Sequence, residues 1–424
     1  LSVASFTSLV LDSVGLQNIY TRYNPSLSLQ INQLNFIFIM LFNLLSSSLL
    51  LAATASALPA EIESRATNPY LTNSHTAITE LQTFYNSPRP GFWSAGWWNT
   101  ANCLTLLADL RAKDSSSFLT SITDGPNGVF KHTLSSQGKD STGALNWDDF
   151  FDDQLWWVVA LIKTYDVTKD TSFLTTANVT FSSVNLNNKP SNNPCGGLAN
   201  AYPSEKYLVK SSTIATVLYV EAAALLATRY PAQSTYFINL AKTQWSWLTK
   251  NILIDGIMQG DGLTGSPPSC GNNHAFLTYI EGVALQALVA LYHATNDASY
   301  LTTADTLATK VLSGKYGMMD SNQIAQEFCD NDLSCNPDTA QFKGIMMRGL
   351  RTLRDAKPSA AGGQIKAFLT KNADSIWANS RQSGTNLLGE KWAGPFALGN
   401  SQALQLSSHS SATMALVEAA LASM

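Results

Sequence analysis

From Asn146 to Trp157 the chain reads Asn-Trp-Asp-Asp-Phe-Phe-Asp-Asp-Gln-Leu-Trp-Trp, so Asp148, Asp149, Asp152 and Asp153 fall within six residues among aromatic rings. Carboxylates this close repel one another, and aromatic walls strip water from them; both effects raise a pKa. A pair split into one ionised and one protonated carboxyl is what acid and nucleophile chemistry on a sugar requires. Two blander readings compete. One is a solvated acidic first turn that complements a helix dipole. The other is a calcium loop, which the aromatic content argues against.

The remaining motifs are weaker. Gly260-Asp261-Gly262-Leu263-Thr264-Gly265 matches a dinucleotide-binding pattern, but Ser-Pro-Pro-Ser-Cys follows it and no strand-then-helix context surrounds it. His75, His132, His274, His293 and His409 form no pair at metal spacing, so neither a metal nor a cofactor is expected. Serine-hydrolase and phosphate-loop signatures do not appear. Trp93, Trp97 and Trp98 suit either the core or the walls of a sugar site, whereas Trp245 and Trp247 sit in an apolar helical stretch and suit the core.

The elements that must position these groups repeat. Tyr165 to Ala177 and Tyr292 to Ala304 share eight of thirteen residues, and fainter copies fall near Phe118, Tyr236 and Phe368. Each copy follows a stretch rich in Ala, Leu and Val at helical spacing, and then comes a polar turn with Asp. The period near 64 residues is one helical hairpin plus a loop, too long for the common solenoid repeats. Strand signatures are scarce. The reading is all-α: a closed toroid of about six hairpins, one domain over 67–424, with the loops before the inner helices around one cleft.

Composition narrows the setting. Only 13% of residues are charged, about half the usual share of ~25%. The net charge is −4 with no basic block, so nucleic acid is an unlikely partner. The first methionine is Met40, followed by an apolar run and the small-residue site Ala55-Ser56-Ala57. Residues 1–39 read as an upstream extension or gene-model artefact, and 40–60 as a secretion signal cleaved near Ala57 or Ala60. A membrane anchor over Phe36 to Leu58 is the alternative, although Ser, Asn and Thr interrupt that run. Export fits the cysteines. Cys329 and Cys335 flank a short polar loop that a disulfide would staple, Cys195 and Cys270 in Pro/Gly/Asn-rich loops form the second expected pair, and Cys103 in an apolar run is the free thiol. Asn178-Val179-Thr180 is a glycosylation sequon.

Phe151 to Trp157, followed by Tyr165 to Ala177, resembles the signature of glycoside hydrolase family 76, the fungal and bacterial endo-α-1,6-mannanases. Pro194-Cys195-Gly196-Gly197, Lys210 to Leu226 and Phe342-Lys343-Gly344-Ile345-Met346-Met347-Arg348 are similar to further segments of that family, in the same order. The resemblance runs from about Trp97 to Met424. It implies an (α/α)6 toroid and retaining hydrolysis of α-1,6-mannan, with Asp152 as nucleophile and Asp153 as general acid/base. Two segments depart from the family pattern. Cys-Gly-Gly-Leu-Ala-Asn-Ala replaces Cys-Gly-Gly-Gly-Ile-Trp-Trp, and Tyr279-Ile280-Glu281-Gly282 replaces Tyr-Asn-Gln-Gly.

Substrate contacts are expected from Trp97, Trp147, Asp148, Asp261, Tyr279 and Arg348, by ring stacking and hydrogen bonds to hydroxyls. Arg348 could equally serve a structural ion pair. The expected protein is an exported monomer acting on cell-wall mannan. A transglycosidase, or a wall glycan-binding protein without turnover, is the alternative.

Overall fold

The computed structural model describes residues 68–85, 91–93, 96–125, 127–189, 193–202 and 210–424. The expected extension at 1–39 and the signal at 40–60 lie outside the described residues. Thirteen α-helices are found among the described residues: α1 (Pro69–Gln82), α2 (Trp97–Arg111), α3 (Ser117–Thr123), α4 (Val129–Thr133), α5 (Phe151–Thr168), α6 (Thr171–Asn187), α7 (Thr213–Arg229), α8 (Ser234–Asn251), α9 (Thr278–Thr295), α10 (Ser299–Val311), α11 (Phe342–Ala356), α12 (Ile365–Asn379) and α13 (Gln402–Leu421).

Burial sorts the helices into two layers. In α2, α7 and α9 every residue from Trp97 to Leu110, Thr213 to Ala224 and Thr278 to Leu291 is buried. Helices covered all round belong inside. In α8 and α10 only one stripe is covered, namely Phe237, Ala241, Trp245 and Leu248, and Leu301, Ala304, Ala308 and Val311 with Leu307 beside them. Such stripes mark outer helices. The inner helices pack in the closed order α2, α5, α7, α9, α11, α13 and back to α2, while α6, α8, α10 and α12 cover them from outside and α1 covers α13. This is the (α/α)6 toroid.

The sequence repeat is the short inner-to-outer turn. Lys169 and Asn296 end α5 and α9 in the left-handed region, which stops a helix. Asp170 and Asp297 then accept the backbone N–H of Ser172 and Ser299, each at 2.9 Å. The side-chain oxygen relieves an orphan donor of the next helix. The same Asp-to-Ser contact thus recurs in both copies of the repeat.

The opposite connections are longer and surround the other end of the ring. Their only strands among the described residues are two-residue antiparallel ladders, β1 (Leu198–Ala199) with β2 (Ser211–Ser212), β3 (Leu253–Ile254) with β4 (Ile257–Met258), and β5 (Leu263–Thr264) with β6 (Gly271–Asn272). Both expected disulfides are present, Cys195–Cys270 and Cys329–Cys335, and Cys103 is a buried free thiol. No helix among the described residues is long and apolar enough to cross a membrane.

Candidate active site

The carboxyl run opens α5. Asp152 and Asp153 stand in its first turn, and the loop before them is fixed from outside. The backbone N–H of Phe151 donates to the Asn200 carbonyl at 3.0 Å, and that of Tyr202 to the Asp149 carbonyl at 2.9 Å. Phe151 is fully buried against the Tyr202 ring, 4.6 Å between centroids. The segment that departs from the family pattern after Gly197 thus supplies β1 and the carbonyl that caps α5.

Asp152 and Asp153 are half-buried. Burial first, then the negative charges of Asp148 and Asp261, push the Asp152 carboxyl up to about 7. Burial also holds Asp153 well above the carboxylate range, reinforced by Asp152, Asp148 and Asp338 and by a hydrogen bond to Asp148. Asp148 is itself raised, chiefly by burial, and accepts the backbone N–H of Phe150 at 3.0 Å. One oxygen of Asp152, Oδ1, is buried with no hydrogen-bond partner among the described residues. Both carboxyls are thus held toward their protonated forms, and neighbouring carboxyls that repel one another do not ionise together.

Asp261 reaches this field from the Gly-rich loop. A side chain at Gly262 would put its Cβ 1.9 Å from the Ser211 carbonyl oxygen, so glycine permits the close approach of this loop to β2. The pattern serves packing. The Asp261 carbonyl accepts from the Thr213 N–H at 2.9 Å, and its carboxylate faces the Lys210 ammonium at 3.4 Å.

Tyr279 stacks flat on Phe342, 3.7 Å apart and within 2° of parallel. Its phenol is held well above its ordinary range by burial and then by Asp261, Asp152 and Asp338. Phe342 leads to Trp98 at 6.2 Å, and Trp98 to Trp156 at 5.5 Å. The Trp98 indole N–H donates to Asp338 at 2.8 Å. Trp147 is 40% exposed, with the Phe92 ring at 5.3 Å.

Asp148, Asp152, Asp153, Asp261 and Tyr279 therefore share one electrostatic field. Of the other expected contacts, Trp97 and Arg348 are engaged elsewhere. Trp97 is 5% exposed, donates to Gln137 at 2.7 Å and stacks on Trp157, so it supports the wall from behind. Arg348 is 1% exposed and sits inside the ring, donating to Asn102 at 2.6 Å and to Gln286 at 3.2 Å. Its covered guanidinium ties α11 to α2 and α9, the structural alternative. Sequence reasoning left Trp98 open between core and sugar-site wall and expected substrate contact from Trp97 instead, and it did not single out Asp338 or Lys210 as site residues. The Asp338 contact spans 240 residues and leaves no local signal.

The donor atoms of Cys329, Asp330, Cys335 and Glu390 also gather, but both sulfurs are joined in the disulfide. Asn178 lies in the middle of α6, half-buried, while Thr180 of its sequon is buried and accepts the Leu145 N–H at 2.9 Å. The sequon is in a helix, not the surface loop such a motif suggests.

Adjacent raised carboxyls at an inner-helix start of an (α/α)6 ring, lined by aromatic rings, make the kind of site that a toroidal glycoside hydrolase needs. The chain matches Glycosyl hydrolase family 76 over residues 70–424 and belongs to that family. A Schizosaccharomyces pombe protein named for mannan endo-1,6-alpha-mannosidase is 26% identical over 290 residues, 65% of this chain. The chain spans 62% of that relative's length. Among solved structures, an inactive alpha-1,6-mannanase variant from Salegentibacter, with two adjacent aspartates replaced by asparagine and alpha-1,6-mannotriose bound, is 18% identical. Its TM-score is 0.68 over 83% of this chain and 99% of that one. Dfg5 from Chaetomium thermophilum, in complex with glucosamine, is 18% identical with a TM-score of 0.63 over 83% and 91%. These likenesses establish the fold.

Proposed function

We propose that this chain is an exported, retaining, endo-acting glycosidase that cleaves α-1,6-mannosidic bonds in cell-wall mannan. The observation that carries the reading is the adjacent carboxyl pair in the first turn of α5, both members raised by burial and by the neighbouring carboxylates, with Asp153 hydrogen-bonded to Asp148. Asp152 attacks the anomeric carbon, and Asp153 protonates the leaving oxygen. Asp153 then takes a proton from water as that water opens the glycosyl-enzyme. Asp148 accepts from Asp153 and keeps it oriented. Trp147 and the Tyr279–Phe342 stack offer ring faces to pyranoses. Asp261, with Lys210, offers hydrogen bonds to hydroxyls.

The names of the S. pombe and Salegentibacter proteins support the substrate class. Two disulfides support export. The likeness to Dfg5, a protein solved with an amino sugar, keeps a second reading in which a sugar hydroxyl takes the place of water. Incubation with α-1,6-mannan, followed by chromatography of the products, separates the readings. Shorter oligosaccharides are expected. Longer chains would favour transfer, and retention on mannan without any product would reduce the protein to a glycan binder.

A further inference from the structure

Helix α9 starts without a cap of its own. The residue at its cap position is Leu277, whose side chain can make no such bond. The first N–H groups of a helix need acceptors from elsewhere. Here the acceptor comes from the loop before α11, 49 residues further on. Glu327 Oε1 accepts the Thr278 backbone N–H at 3.0 Å and also the Thr278 hydroxyl. Glu327 is 2% exposed, so its carboxyl is committed to this task and not to solvent.

The backbone of the same residue is tied to α11. The Glu327 N–H donates to Asp330 Oδ2 at 3.1 Å, and that oxygen also accepts from the Lys343 ammonium. Lys343 is fully buried and donates in addition to the Glu390 carbonyl at 2.7 Å. The Cys329–Cys335 disulfide closes the loop just beyond Glu327. Thr278 precedes Tyr279 and Lys343 follows Phe342, so the two stacked rings each neighbour an anchored residue. The polar chain Thr278–Glu327–Asp330–Lys343 thus links the start of α9 to the start of α11, one residue from each stacked ring.

We propose that Glu327 is a positioning residue, a remote cap of α9 that sets the Tyr279 ring against Phe342 and so fixes the angle at which a sugar meets Asp152. The proposal rests on the glycosidase reading above. Glu327 does not touch substrate; it acts through Thr278 and Tyr279.

Three variants of the full chain test it: Glu327→Ala, Glu327→Asp and Glu327→Gln. Amide hydrogen exchange in the first turn of α9 and steady-state kinetics on α-1,6-mannan oligosaccharides are measured for each. In Glu327→Ala those amides should exchange about tenfold faster or more, and kcat should fall about tenfold with a smaller change in KM. Glu327→Gln keeps an oxygen acceptor and should restore both within about threefold. If Glu327→Ala does not fold, Glu327→Asp, one methylene shorter, should show the same losses in weaker form. An unchanged exchange rate in the Ala or Asp variant overturns the cap. A lower melting temperature with kcat and KM untouched overturns the positioning role, as does a Gln variant that loses kcat while its amides stay protected. A wild-type protein that turns over no mannan defeats the glycosidase reading instead, and the exchange comparison still decides the cap.

Discussion

Asp152 and Asp153 differ in what surrounds each carboxyl, and substitution tells their proposed roles apart. Asp152 feels Asp148 and Asp261, whereas Asp153 feels Asp152, Asp148 and Asp338 and is hydrogen-bonded to Asp148. Asp152→Asn should abolish turnover even of an activated aryl mannoside, because no nucleophile remains. Asp153→Asn should still form the glycosyl-enzyme from that substrate, because a good leaving group needs no proton. Burst kinetics on the aryl mannoside distinguish the two, and an exchange of the outcomes would reverse the assignment. The free-enzyme pH profile follows from the same groups. Activity should rise as Asp152 ionises near pH 7 and fall once Asp153 loses its proton. Asp148→Asn removes a charge that raises both carboxyls and weakens the hold on the Asp153 proton, so both limbs should move to lower pH. A kcat/KM profile that stays in place would show that Asp148 carries no charge beside the pair.

At the scale of helices, the sequence disclosed what is local. Helical spacing of Ala, Leu and Val, the Asp-containing turns at 170 and 297 and the acidic opening of α5 are each written within a dozen residues. The disulfide partners were legible from loop composition around the cysteines. The aromatic wall was not, because Trp98, Phe342 and Tyr279 meet only through the ring closure. Neither was the interior placement of Arg348, since its motif names a segment and not the face that turns inward. Glycines make that closure possible. A Cβ on Gly282 of α9 would lie 2.4 Å from the Ile345 carbonyl oxygen, and one on Gly349 of α11 would lie 2.2 Å from the Gly282 carbonyl oxygen. These two backbones touch directly. Gly282→Ala should therefore destabilise the protein by about 1–3 kcal/mol, since a packed helix pair must separate. Urea unfolding measures this, and a variant as stable as its parent would mean that α9 and α11 part without strain.

For the whole molecule, buried carboxyls on the inner helices and in the loops between helices tie stability to pH through their protons. Burial holds Glu221, Glu327 and Glu390 up at about 7, and Glu281 well above its ordinary range. A carboxyl whose pKa is raised on folding contributes stability that is fully present below its unfolded pKa of about 4.3. That contribution is lost as pH rises through the folded value, because the unfolded chain then binds fewer protons. Asp109 and Asp114 act in the opposite sense. Lys163 lowers the first and the Ser116 N–H helps to lower the second, against the cost of burial, so their contribution disappears in acid. The melting temperature should therefore peak at mildly acidic pH and decline toward neutrality. Glu281 isolates the effect. It is fully buried, its Oε2 accepts only a long bond from the Met258 N–H at 3.4 Å, and its Oε1 has no partner among the described residues. The family pattern has Gln at this place, so Glu281→Gln fits the space and removes the proton equilibrium. Near pH 4.3 the variant and its parent should be similarly stable. Above that the variant should gain about 1.4 kcal/mol per pH unit until Glu281 ionises in the folded protein. Unfolding free energies from pH 4 to 8 test this, and curves that run parallel would mean that Glu281 carries no folding-linked proton.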